Sequence, residues 1–165
     1  MSAAEKLGGG NPLLDKRLVN AFVEGMVEVV KSTGTDVTEK KPFVEPQFEP
    51  KGQIAGMIGM VAGDMRGTIT ISFDDSAVFH ILENWLMEQH DQITDEVADA
   101  VGELTNQIYG KAKTTLNELG YGFEMAIPTV ILGSVKIKSY HDGATLVLPF
   151  ESKGGNFYIE ITVER

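Results

Sequence analysis

The chain has 165 residues, 42% of them apolar, and carries 24 Asp and Glu against 14 Lys and Arg, a formal net charge of −10. That length and apolar share describe one soluble domain with a real core and exclude a disordered chain, while the charge disfavours nucleic acid and anionic membranes as partners. With no Cys, disulfides, thiolate metal sites and Cys nucleophiles are excluded, and three His (His80, His90, His141) leave little for a metal centre.

Residues 1–10 lack an apolar signal segment and contain three consecutive glycines, so they read as a flexible arm ahead of a single domain over residues 11–165. No apolar run is long enough to span a bilayer. The expected location is therefore the cytoplasm.

Asn11-Pro12 suits a helix start, and Leu14, Leu18, Phe22, Gly25 and Val29 fall on one stripe that Gly34 can end. This predicts a first helix over about residues 12–33. Pro42, Pro46 and Pro50 then mark an edge strand or an extended connection. Two runs, Gln53–Val61 and Gly67–Phe73, flank Gly63-Asp64. Ile69, Ile71 and Phe73 alternate with Thr68, Thr70 and Ser72, which predicts a hairpin of half-buried strands.

Asp74-Asp75-Ser76 offers caps for a second helix with Val78, Ile81, Leu82 and Trp85 inward. Thr94 caps a third helix, expected over about residues 94–119, with Asp95 and Glu96 in its first turn and Gly120 at its end. Three strands follow, Thr129–Lys138, Ala144–Phe150 and Asn156–Val163, expected as a meander turning at His141-Asp142-Gly143 and Gly154-Gly155. The last strand alternates, which predicts one buried and one wet face. The fold class is α+β: an antiparallel sheet with helices packed on one face.

The third helix carries the unusual chemistry. Val97, Val101, Leu104, Ile108, Ala112, Leu116 and Leu119 make a core seam. Asp99, Glu103, Asn106 and Gly110 lie on the opposite side, with Glu103 and Asn106 as near neighbours. Asn is mediocre in a helix interior, and Gly102 and Gly110 each cost ~1 kcal/mol relative to Ala. Close approach by another molecule would explain both glycines. Packing against a neighbouring strand explains them equally well.

The run Asp95–Gly110, DEVADAVGELTNQIYG, resembles the signature of the CheX and CheC–FliY chemotaxis phosphatases, a long helix with an acidic run, a small residue, Glu-x-x-Asn and then Gly. Ala126–Gly133, with Pro128-Thr129-Val130, is similar to the family's segment opening the next strand, and Gly67–Phe73 leading into a short helix is a third likeness. Glu103/Asn106 is the one pair in the chain with Glu three residues before Asn. A single motif resembles CheX, a homodimer, rather than the two-motif CheC members.

The resemblance implies a phosphatase acting on the phosphoaspartate of a CheY-type response regulator. Glu103 and Asn106 would be catalytic, with Asn106 orienting the attacking water and Glu103 pairing with a cation on the partner. Asp99, Gly102 and Gly110 would dock the partner. The chain would need no cofactor of its own, magnesium belonging to the receiver, and no metal site. A homodimer is implied, with neither nucleic acid nor membrane as partner. The alternative is a non-catalytic receiver-binding or structural dimerisation module of the same fold. A metal site on Glu96, Asp99 and Glu103 lacks a histidine at helical spacing. Ser76 and Ser134 have no His–Asp company.

Overall fold

The computed structural model describes residues 15–46, 48–49, 51–133 and 144–163. In chain order it contains α1 (Lys16–Ser32), β1 (Thr38–Glu39), β2 (Phe43–Glu45), β3 (Ile54–Ala62), β4 (Met65–Phe73), α2 (Asp75–Leu86), α3 (Asp95–Glu118), β5 (Thr129–Leu132), β6 (Thr145–Ser152) and β7 (Gly155–Val163). The expected arm over residues 1–10, the Asn11-Pro12 helix start and the His141-Asp142-Gly143 turn lie outside the described residues.

Asp15 is the N-cap of α1, its carboxylate accepting the Arg17 N–H at 2.8 Å. The same carboxylate accepts the Tyr121 hydroxyl at 2.6 Å, which ties the start of α1 to the segment after α3. Burial opposes ionisation of Asp15, but the bonds from Arg17 and Tyr121 outweigh it and hold the carboxyl below its ordinary range. Thr94 caps α3 as expected, accepting the Val97 N–H.

The strands form one antiparallel sheet in the order β1-β6-β7-β4-β3-β5, with β2 also pairing on β6. The Gly63-Asp64 turn joins β3 to β4 in the expected hairpin, Ile58 facing Ile69. β6 and β7 form a second hairpin. The expected three-strand meander is not what forms: β5 pairs with β3, at the far side of the sheet from β6. The reason is occupancy, because β6 has β7 on one side and β1 and β2 on the other, so it offers β5 no free edge.

The three helices of the described residues cover one face of the sheet. Beneath them Phe22, Met26, Ile54, Ile58, Ile69, Ile71, Ile81, Leu104, Ile108, Phe157 and Ile159 belong to a single buried cluster. Phe73, Phe157 and Phe150 stack along it, with centroid separations of 5.9 and 5.7 Å.

The opposite face is not wet, as alternation alone suggests. Thr70, Ser72, Thr145, Glu160 and Thr162 are all buried there. The proline-rich connection accounts for part of this. It leaves β2 beside β6 and must reach β3 beyond β7 and β4, so it crosses the sheet. On the way the Lys51 N–H donates to Glu160 on β7 at 3.2 Å, and the Lys51 ammonium pairs with Glu45 at 2.6 Å.

α3 sits on β3 at a glycine. The buried Thr105 side chain lies where a Cβ on Gly56 would be. Its hydroxyl donates to the Val101 carbonyl at 2.7 Å, so the side chain needs no other partner. α1 approaches α3 at Gly25, where a Cβ would stand 3.1 Å from the Ile108 carbonyl oxygen. Gly56→Ala is therefore expected to lift α3 from the sheet and lower stability by ~1–3 kcal/mol, read as a fall in the denaturation midpoint. Among the described residues no helix is long and apolar enough to cross a membrane.

Candidate functional site

The middle of α3 has two faces with different tasks. Val101, Leu104, Thr105 and Ile108 are buried against the sheet and α1. Asp99, Glu103 and Asn106 are exposed, and Gly102 and Gly110 are half-buried. Within the four-residue motif the two middle residues, Leu104 and Thr105, anchor the helix inward. The two outer ones project away from the core. Seating Thr105 on Gly56 thus fixes the rotation of α3, and with it the direction of Glu103 and Asn106.

Glu103 accepts a hydrogen bond from the Gln107 amide at 3.0 Å, an i, i+4 contact that restrains the carboxylate. The Asn106 carboxamide makes no hydrogen bond among the described residues, so both its donor and its acceptor are available. Around Gly110 a Cβ would meet nothing within 4 Å, and the helix surface there is open. Gly102 differs. A Cβ there would stand 3.4 Å from the Val130 side chain of β5, an ordinary packing distance. Of the five residues expected from the sequence, Asp99, Glu103, Asn106 and Gly110 share one open stripe, and Gly102 lies beside β5.

Beyond the stripe, a groove of about 720 Å³ runs between α1 and α3, lined by Glu28, Gln107, Gly110, Lys111 and Thr114 among others. Lys111 bridges to Glu28 of α1 at 2.7 Å, both side chains more than half exposed. Sequence reasoning did not single out Gln107, Lys111 or Glu28. Gln107 was available from its i, i+4 spacing to Glu103; the Glu28–Lys111 pair, 83 positions apart, was not. The exposed pair contributes at most ~1 kcal/mol. Lys111→Ala is accordingly expected to leave the thermal midpoint almost unchanged in a melting experiment.

An open stripe with a free carboxamide beside a restrained carboxylate, on a helix that needs no loop to hold it, suits acting on a group brought by another protein. A family profile described as "Chemotaxis phosphatase CheX" matches residues 54–151, which include α3 and most of the sheet. The chain belongs to the CheX family.

Among its relatives, the CheY-P phosphatase CheX of Thermotoga maritima is 30% identical over 139 residues, 82% of this chain and 88% of that one. The solved CheC-like superfamily protein of Shewanella sp. PV-4 is 34% identical with a TM-score of 0.84, covering 92% of this chain and all of that one. Chemotaxis protein CheX of Vibrio vulnificus is 36% identical with a TM-score of 0.81, covering 89% and 99%. The CheX fold is thus shared in its whole extent, and the α+β sheet with its helices on one face is the family's architecture.

Proposed function

We propose that this CheX-family chain is a phosphatase that hydrolyses the phosphoaspartate of a CheY-type response regulator, with Asn106 and Glu103 as its working pair. One observation carries the reading most directly. Asn106 is exposed and, among the described residues, unpartnered on a core-anchored helix, next to a carboxylate that is already restrained.

An acyl phosphate is hydrolysed by in-line attack of water through a loose transition state, so positioning matters more than a strong base. The Asn106 carboxamide can accept from an attacking water and donate to a phosphoryl oxygen. It carries no charge to repel the phosphate. Glu103 pairs with a cation on the receiver and sets the register of docking. Asp99 contacts the partner to one side, and the open surface at Gly110 lets the helix approach closely. The chain brings no cofactor to the reaction; the magnesium ion belongs to the receiver. A hundredfold acceleration requires ~2.7 kcal/mol, within the reach of one positioned amide.

The same reading places the protein in the cytoplasm, where response regulators act, and makes it a homodimer. β5 ends the sheet among the described residues, and the neighbouring Met125 and Ile127 are almost fully exposed, which suits association with a second copy. Light scattering tests that point.

Decay of radiolabelled phosphoreceiver with and without the protein tests the activity. Unchanged decay would leave the alternative, a receiver-binding module without catalysis. Glu103→Ala is expected to weaken the complex with the phosphorylated receiver ~10-fold or more while leaving the melting temperature in place. Titration calorimetry against a receiver carrying a stable phosphoryl mimic measures it.

A further inference from the structure

We propose that Glu88, His90 and Glu96 form a divalent transition-metal site of the zinc type where the chain enters α3. The inference is independent of the phosphatase reading.

The site is built by a sharp reversal. α2 ends at Leu86, and Met87 adopts φ 56°, ψ 31°, the one non-glycine residue with positive φ among the described residues. A left-handed methionine costs ~1 kcal/mol or more. The connection from this turn leads into α3. There Glu88 and His90 come from the connection, and Glu96 comes from the first helical turn. The ligand atoms of the three side chains lie within 4.8 Å of one another. His90 Nε2 and Glu88 Oε2 are 3.1 Å apart.

These distances suit a metal ion. Zinc bonds to imidazole nitrogen and carboxylate oxygen at ~2.0–2.2 Å, and tetrahedral ligands therefore stand ~3.3 Å apart. The Glu88–His90 pair is already at that separation, and Glu96 needs only a small side-chain adjustment. Three protein ligands leave a fourth position for water or an added ligand. His90 also lines a groove of about 580 Å³ with Phe79, His80 and Glu83.

A hydrogen bond between His90 and Glu88 accounts for two of the three groups. It does not explain the convergence of Glu96, a second carboxylate, on the same imidazole. Two carboxylates this close repel, and a cation bound between them relieves the repulsion. The positive end of the α3 dipole acts against a cation, but two carboxylate charges outweigh the half charge of a helix terminus. A neutral imidazole with two carboxylates suits zinc, cobalt or nickel rather than magnesium, which prefers oxygen ligands alone.

Sequence spacing hides the site. It places no histidine at a ligand interval on α3, because the imidazole arrives from the preceding connection.

The test is Zn2+ binding to the full chain by competition with a chromophoric chelator at neutral pH. The wild type is compared with His90→Ala, Glu96→Gln, His80→Ala and His141→Ala, with circular dichroism confirming that each is folded. Loss of even an outer partner of a metal ligand costs ~10–100-fold in affinity, so His90→Ala should weaken binding at least ~100-fold and Glu96→Gln at least ~10-fold. His80→Ala and His141→Ala should bind as the wild type does, and excess Mg2+ should not compete. The proposal is overturned if the wild type takes up no Zn2+ at micromolar concentration, if His90→Ala or Glu96→Gln retains wild-type affinity, or if the loss follows His80 or His141 instead.

Discussion

The Asn106→Ala protein is expected to fold, to bind a phosphorylated receiver, and to hydrolyse it at least ~100-fold more slowly than the wild type. The side chain is exposed and makes no hydrogen bond among the described residues, so its removal breaks nothing in the fold. Ala is also the better helix former, which adds up to ~0.7 kcal/mol of stability. Loss of turnover therefore cannot be traced to unfolding. The decisive measurement is single-turnover decay of phosphoreceiver at saturating protein, because saturation separates chemistry from binding. A saturated rate close to that of the wild type would remove Asn106 from the mechanism, leaving the amide a bystander on a docking surface. Asn106→Asp sharpens the test. It keeps the shape, places a negative charge against the phosphoryl group, and should be as inactive as Ala.

Glu160→Gln is expected to stabilise the protein at about pH 8 by up to ~3 kcal/mol and to leave it unchanged at about pH 4. Glu160 is fully buried on β7. One carboxylate oxygen accepts from the Lys51 N–H at 3.2 Å and from the Ser72 hydroxyl at 3.4 Å, and the other has no partner among the described residues. Burial is the main force that pushes this carboxyl up to about 7, from an ordinary 4.5. The nearby Glu45 carboxylate pushes the same way, and Lys51 and Ser72 offset part of the rise. Between those two values the folded chain holds a proton that the unfolded chain has released. The Glu160 contribution to wild-type stability therefore falls as pH rises from 4.5 to about 7, and is level above that. Glutamine cannot ionise, so the variant escapes the decline. Urea denaturation across the range measures it: the two stability curves should coincide in acid and diverge through the interval. Parallel curves would mean that water or a cation solvates the Glu160 carboxylate in the folded protein. Phosphatase activity should be unaffected, since Glu160 lies on the face of the sheet away from α3.

The features readable from the sequence are the local ones. The seam from Val97 to Leu116, the Thr94 cap and the Gly63-Asp64 hairpin each depend on residues a few positions apart, and all three stand in the structure. Glu103 and Asn106 were legible for the same reason, since helical periodicity alone puts them opposite the seam. Leu119, counted in that seam, is instead partly exposed just past the helix end, where the 3.6-residue period no longer holds.

What escaped required knowledge of distant partners. The pairing of β5 with β3 depends on which edges are already taken, and no pattern within Thr129–Leu132 records that. Thr70, Ser72 and Glu160 read as wet because their polarity alternates with apolar neighbours. Their burial comes in part from a proline-rich crossing whose route is set by where β2 and β3 end up. The meeting of Glu96 with His90 likewise depends on the left-handed turn at Met87, for which a methionine gives no local signal.

The unpartnered carboxamide of Asn106 has a consequence for signalling. Among the described residues nothing hydrogen-bonds to that carboxamide, so it stands ready for a partner without first breaking a bond. Each collision with a charged-up receiver is then a chance of erasure. Raising the number of copies in the cell would shorten the lifetime of the message.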